Sequence, residues 1–256
     1  MLLALDAGNS TITAGCVAGG EVKARAVFAT AARTSDEYAV LMSQALAMHG
    51  VEPGGFDGAI VACVVPQMTK TLARAARMLA GVEPLVVGAG VKTGLNIGID
   101  DPSQLGADLV ASAVGALADR EPPLIICDLG TATSVCVIDA RSRLLGGAIL
   151  PGAAVSLDAL AGSAALLPGI TLEAPKQCIG TNTNDCMKSG AVFGTAAAID
   201  GMIDRFEQEL GCEARYVATG TLANLIIPHC RREIEIDDAL ALKGLERIWI
   251  KNQRRK

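Results

Sequence analysis

The stretch LALDAGNSTITAGCV, residues 3–17, is an apolar run ending in an aspartate, a turn of Gly and small polar residues, and a second apolar run. It returns as IICDLGTATSVCVID, residues 125–139. Laid over each other without a gap, Asp6 falls on Asp128, Gly8 on Gly130 and Thr11 on Thr133. Short apolar runs bounded by Gly, Asn and Ser read as strands joined by turns. A unit that occurs twice is an internal repeat, and it sets the architecture. The chain is expected to be α/β, with two similar lobes, 1–118 and 119–256, each built on a mixed sheet and facing the other across a cleft where a ligand would sit.

The segments around the repeat agree. EVKARAVFA follows the first hairpin after the turn signal AGG, and RLLGGAIL follows the second. TSDEYAVLMSQALAMHG has Thr34 or Ser35 as a helix cap and apolar residues at helical spacing up to Gly50. GAIVACVV reads as a strand, about 66–79 as a helix and PLVVG as a strand. In the second half a helix follows Pro151, a long one runs from about 184 to 210, ARYVATG is a strand, and a further helix starts near Leu222.

Composition narrows the function. Of 256 residues, 51% are hydrophobic, enough for a large core, while aromatics are only 3%, leaving little on which to stack bases. The net charge is −5 and the only basic run is the terminal Arg254-Arg255-Lys256, read as a solvated end, so no nucleic-acid partner is expected. Eight cysteines include no C-x-x-C pair, and Cys63, Cys127 and Cys136 lie in apolar runs; reduced, buried thiols and a cytoplasmic location are expected. MLLALDAGNS has no basic leader, and no uninterrupted apolar stretch is long enough to span a membrane. His49 and His229 are the only histidines and read as surface residues, which argues against Ser-His-Asp catalysis and His-rich metal sites.

An Asp-x-Gly turn rich in hydroxyls suits phosphate. Glycine lets backbone N–H groups approach anionic oxygens, and Asn9, Ser10, Thr11 and Thr13 add donors. Asp6 would repel phosphate directly and is expected to act through Mg²⁺ or its water. The plain alternative is an ordinary tight turn, in which Asp and Gly serve geometry alone; repetition in two lobes favours a nucleotide clamp. VATGT, residues 217–221, adds a third small-residue turn after a strand.

Residues 102–116, PSQLGADLVASAVGA, read as an apolar helix with one carboxylate, Asp108, at its start. Such a carboxylate can be a helix-end group or a proton acceptor. GAGVKTG, residues 88–94, lacks the spacing of a dinucleotide or P-loop motif, and Asp100 and Asp101 read as solvated loop residues.

With these segments in hand, the sequence resembles the type III pantothenate kinases of the acetate-kinase, Hsp70 and actin superfamily. The ordered motifs are DAGNST at 6–11, TSDEY at 34–38, VVP at 64–66, PLVVGAGVKTGLNI at 84–97, LGAD at 105–108 and DLGTATS at 128–134. They continue with GGAILPG at 146–152, IGTNT at 179–183, ATGTLA at 218–223 and ALKGLERIWIKN at 241–252. The resemblance implies two ribonuclease H-like (actin-like ATPase) lobes, transfer of the ATP γ-phosphoryl group to the primary hydroxyl of pantothenate, and a homodimer. It also implies nucleotide contacts from Asp6, Ala7, Gly8, Asn9, Ser10, Thr11, Ile12 and Thr13 and from Thr131, with K⁺ or NH₄⁺ at Asp128. Asp108 takes the place of the catalytic base, and Gly106, Ala107, Leu109 and Thr183 fall in the acceptor site.

An aspartate can orient an alcohol and accept its proton late in a loose phosphoryl-transfer transition state, and the helix N-terminus is expected to keep Asp108 ionised. Three positions depart from the family: Leu109 stands for an Arg, Ile99 for a Tyr, and Thr221 for the usual Gly. They leave three readings open: a pantothenate kinase, a kinase for another small alcohol, and a nucleotide-binding regulator without phosphoryl transfer.

Overall fold

A computed structural model describes residues 1–52 and 54–253. The basic terminal run 254–256 lies outside the described residues. Contacts divide the chain into two units: 1–120 together with 239–256, and 121–238. The halves read from the sequence divide at 118/119; among the described residues, 239–253 instead pack with the first unit.

Strands β1 (Leu2–Ala7), β2 (Thr11–Ala18) and β3 (Glu21–Ala29) form an antiparallel meander. The following elements are α1 (Ser35–Ala47), β4 (Gly58–Cys63), α2 (Pro66–Ala80), β5 (Leu85–Val86), β6 (Asn96–Ile97) and α3 (Ala107–Asp119). The sheet order is β3-β2-β1-β4-β5, with β4 parallel to β1 and to β5. In the second unit come β7 (Leu124–Leu129), β8 (Ala132–Ile138), β9 (Arg143–Pro151), α4 (Ala153–Ser163), α5 (Thr183–Leu210), β10 (Arg215–Thr219), α6 (Ala223–Ile226) and β11 (Glu235–Ile236). Its strands run β9-β8-β7-β10-β11, again an antiparallel meander followed by two parallel strands. The repeat is therefore one of topology as well as of sequence.

Register refines it. In β1–β2 Asp6 pairs with Thr13 and Ala7 with Ile12, whereas in β7–β8 Asp128 pairs with Ser134 and Leu129 with Thr133. Three residues separate β1 from β2, but only two separate β7 from β8. The second turn is one residue shorter, so Thr133 takes the place of Ile12, and both are buried. The ungapped match of Thr11 with Thr133 is corrected by this register, while Asp6 with Asp128 stands.

Strand periodicity sorts the first sheet's side chains to two faces. Leu3, Leu5, Ile12 and Ala14 join Tyr38, Met42, Leu72 and Ala76 of α1 and α2. Leu2, Ala4, Ile60 and Ala62 join α3 and a last helix, α7 (Leu240–Asn252), through Val110, Ala111, Leu242, Leu245 and Ile248. Helix α7 is not among the elements expected from the sequence, although Leu242, Leu245 and Ile248 recur at helical spacing. It lies against glycines: a Cβ on Gly15 would come within 2.5 Å of Leu242, and one on Gly58 within 2.4 Å of Trp249. Against α3 the approach is backbone to backbone, since a Cβ on Gly244 would lie 1.8 Å from the Ala111 carbonyl oxygen and one on Gly115 2.1 Å from that of Leu240.

Other expectations match closely. Thr34 caps α1 in a reciprocal capping box with Glu37, and α5 starts one residue earlier than the sequence suggested. Residues 102–116 form two helices instead of one: a 3₁₀ turn at Pro102–Gln104, a break at Leu105-Gly106, then α3.

A methyl group at Gly244 would have to separate α7 from α3. Gly244→Ala is expected to cost about 3 kcal/mol by overpacking, read as a lower urea midpoint at unchanged slope; an unchanged midpoint would contradict this packing.

Candidate functional site

The first hairpin turn is built from its own backbone. Gly8 N–H donates to the Thr11 carbonyl at 2.9 Å, and the Thr30 hydroxyl and N–H hold the Gly8 and Ser10 carbonyls at 2.8 and 2.9 Å. Asn9 and Ser10 are exposed at the tip, with Thr11 and Thr13 following at the start of β2. Ala7 and Ile12 are buried in the core, so only their backbone can face a ligand. Asp6 alternates with Leu2 and Ala4, which places it on the sheet face covered by α3 and α7.

Helix α3 brings Asp108 to that same face of the first unit. Gly106 is its N-cap, without a side-chain cap bond, and Ala107 is its first residue. The Asp108 carboxylate folds back over Gly106: its Oδ1 accepts from the Leu109 N–H at 2.7 Å and would lie 2.3 Å from a Cβ on Gly106. Val64 stands behind, 3.5 Å from that Cβ position, and its own N–H donates to the Ala7 carbonyl at 3.0 Å. Val64 thus connects the first turn to the start of α3. In the sequence it stands out only as part of VVP.

The pKa of Asp108 reports a contest. Burial raises it, while hydrogen bonds from the Leu109 and Asp108 backbone N–H groups lower it, and burial wins. The helix start therefore does not set the direction alone: desolvation moves the Asp108 pKa above that of an ordinary aspartate. Leu109 and Ile99 are both half-buried.

In the second unit Asp128 sits one residue from the end of β7, opposite Thr219 of β10. Gly220, at φ 97°, passes so closely that a Cβ would lie 2.6 Å from Asp128 Oδ1 and 2.5 Å from the Leu129 carbonyl oxygen. Only a glycine tolerates both that φ and that contact. Thr131 is exposed at the turn, where Gly152 N–H donates to its carbonyl at 3.1 Å. A Cβ on Gly152 would meet the Gly130 and Thr131 carbonyls at 2.3 and 2.4 Å. Gly152 is also the N-cap of α4, so a helix start adjoins the turn. Thr183 is the exposed first residue of α5, capped by Asn182, whose side chain accepts from Asp185 N–H at 3.0 Å.

Other charged segments have local roles. Asp101 caps the 3₁₀ turn, accepting from Ser103 N–H and Oγ at 3.0 and 2.6 Å and from Gln104 at 3.0 Å; these bonds lower its pKa. It is a loop organiser, a role that Asp before Pro-Ser could have disclosed. The 88–94 segment is tied to α7, with the Asn252 side chain bonded to both the N–H and the carbonyl of Lys92. A 540 Å³ depression at the C-terminal end of α5 is lined by Asp204, Glu207 and Arg232 among others. Arg232 is engaged there by Asp204 at 2.5 Å and by Glu207 at 3.1 Å. Among the described residues no helix is long and apolar enough to cross a membrane.

Paired hairpin-led units with Asp at each turn define an actin-like ATPase fold of the kind found in small-molecule kinases. A solved 2-dehydro-3-deoxygalactonokinase candidate from Sinorhizobium meliloti has the same fold, with TM-score 0.59 at 13% identity over 100% of this chain and 98% of that one. The type III pantothenate kinase model matches residues 2–205. Type III pantothenate kinases of Shouchella clausii and of an Exiguobacterium strain are 40% and 39% identical, each over 99% of this chain and 100% of its own length. The chain belongs to the type III pantothenate kinase family, whose members are ATP-dependent kinases.

With the Asp108 proton held more tightly than in a free aspartate, the base form is lost as pH falls through the raised pKa. The acid limb of kcat is expected above 3.8, the ordinary aspartate value. Gly106→Ala, which displaces the carboxylate, is expected to lower kcat by about 100-fold at nearly unchanged ATP affinity. A full-rate Gly106→Ala enzyme would show that Asp108 needs no such placement.

Proposed function

We propose that this protein phosphorylates the primary hydroxyl of pantothenate with the γ-phosphoryl group of ATP. The observation that carries this reading is the family match over 99% of the chain, joined to a half-buried Asp108 at the start of α3 whose pKa burial raises. In this account the backbone and hydroxyls of Asp6–Thr13, together with Thr131, hold the phosphates. Asp108 accepts the proton of the attacking hydroxyl, with Gly106, Ala107, Leu109 and Thr183 around the acceptor. Neither another alcohol nor a silent regulator gains support from the comparisons.

The donor sets suit the ions. Among the described residues no three His, Cys, Asp or Glu side chains converge on a metal position. A Mg²⁺ held through Asp6 and its water would take its other ligands from phosphate and solvent. Such an ion neutralises charge on the transferring group. Asp128 offers oxygen to K⁺ or NH₄⁺, with the backbone at Gly220 closing one side. Eight free thiols suit a reducing cytoplasm, although Cys178, Cys186 and Cys212 are exposed where buried thiols were expected. Large apolar side chains exposed in the second unit, Ile149, Val155, Leu160 and Leu166, support a homodimer, which sedimentation at twice the chain mass would establish and monomer mass would contradict.

Leu109 and Ile99 define the acceptor side. Losing a charge-assisted contact to the pantothenate carboxylate is worth roughly 2–4 kcal/mol. With Mg²⁺ and K⁺ present, ATP-dependent formation of phosphopantothenate is expected by mass spectrometry; its absence contradicts the proposed function. Ile99→Tyr with Leu109→Arg is expected to lower the pantothenate KM by about 30-fold or more at unchanged ATP KM. An unchanged pantothenate KM would mean that the carboxylate is held elsewhere.

A further inference from the structure

The segment from Cys178 to Cys186 folds back onto the start of α5. Gly180 lies flush on the first helical turn, where a Cβ would come within 2.5 Å of the Cys186 nitrogen and 2.8 Å of its Cα. The Cys186 thiol donates to the Gly180 carbonyl at 3.3 Å. Two residues earlier, the Cys178 carbonyl accepts from the Ser189 hydroxyl at 2.5 Å, and Cys178 Sγ lies 3.9 Å from the same oxygen. Ser189 follows Cys186 by three residues in α5, so their side chains share one helix face with Cβ atoms about 5–6 Å apart. Both sulfurs therefore lie over the same turn of helix, and both cysteines are exposed.

The other thiols are less suited to exchange. Burial pushes Cys16 up to about 11, and Cys136 and Cys230 up to about 12, with Cys127 raised further still. Such groups supply little thiolate, the reactive form. Cys63 donates to the Val65 carbonyl at 3.2 Å. Cys212 is exposed but follows Gly211, at the far end of the 28-residue helix α5.

We propose that Cys178 and Cys186 are a modification site for low-molecular-weight disulfides such as glutathione disulfide, which convert them to an intramolecular disulfide enclosing Thr183. One cysteine thiolate attacks glutathione disulfide, forming a mixed disulfide and releasing one glutathione thiolate. The second cysteine thiolate then attacks the protein sulfur and expels the other. The protein gives up two thiol protons and two electrons, and glutathione disulfide leaves as two glutathiones. Residues 176–182 lie outside helix and strand, so no ladder or helical hydrogen bond opposes setting the Cα atoms at the roughly 4.4–6.8 Å that a bridge requires. The ring holds the first turn of α5 to its preceding loop. Resting on the reading of Thr183 as an acceptor-site residue, oxidation then weakens acceptor binding and spares ATP.

The test uses the whole protein with glutathione disulfide, alkylation and tryptic mapping without reductant. Both cysteines fall in one peptide, Gln177–Lys188, with no internal cleavage site. It is expected two hydrogens lighter than the reduced form and closed to alkylation, and the single variants Cys178→Ser and Cys186→Ser are expected to retain a glutathione adduct on the remaining thiol. Stable adducts on both cysteines of the wild type, free thiols, or a bridge to Cys212 would overturn the proposal. Kinetically, oxidation is expected to raise the pantothenate KM by about threefold or more, to leave the ATP KM unchanged, and to be reversed by dithiothreitol. Equal pantothenate KM in both forms would remove the link to Thr183. Absence of pantothenate turnover in the reduced protein would instead overturn the proposed function, while a mapped bridge would stand.

Discussion

The contact between α3 and α7 is the constraint on which the first unit depends. Gly115 and Gly244 let two helix backbones meet where any side chain would collide with a carbonyl. Helix α7 in turn rests on the sheet at Gly15 of β2 and Gly58 of β4. The sheet therefore fixes α7, α7 fixes α3, and α3 sets the position of Asp108 on the face that also carries Asp6. In a densely packed interior such a chain of contacts transmits small displacements instead of absorbing them. A site whose chemistry is mainly positioning needs that stiffness.

Charge at the site follows from the same packing. A carboxylate in the first turn of a helix is stabilised by backbone N–H groups and by the helix dipole. At Asp108 withdrawal from water outweighs them, and the pKa rises. An ionised group in that position costs folding stability once pH exceeds its unfolded pKa, and the cost is fully present above the raised folded value. The fold tolerates this at the residue proposed to accept a proton. Asp101, six residues earlier in the linear sequence than Ala107, is the contrast: exposed and bonded by Ser103 and Gln104, it is a stronger acid with a purely local role.

Much of the fold was legible because it rests on period and repetition. The hairpins at Asp6 and Asp128, the cap at Thr34 and the long helix before Gly211 all carry local signals. The one-residue difference between the turns was not legible, since an ungapped match of Thr11 with Thr133 satisfies composition equally well and only cross-strand register separates them. Helix α7 was hidden because its partners, Gly15, Gly58 and Gly115, are distant in sequence and their meaning lies in missing side chains. At the candidate site, motif residues pointed to Asp108 and the turns. What escaped was how they are held: Val64 between Ala7 and Gly106, and Gly152 and Gly220 against the second turn. The direction of the Asp108 shift escaped for a similar reason, because burial is a property of the packed helix.

The central claim is that Asp108 removes the proton from the pantothenate hydroxyl as phosphate is transferred. Its most direct test is a single-turnover rapid-quench measurement with γ-labelled ATP, pantothenate and Mg²⁺, comparing the wild type with Asp108→Asn, which keeps the shape and a hydrogen-bond acceptor but cannot accept the proton as a carboxylate does. The account predicts label transfer to pantothenate in the first wild-type turnover, slowed by about 100-fold or more in the variant at undiminished ATP binding. Equal rates of transfer in the two proteins would contradict it.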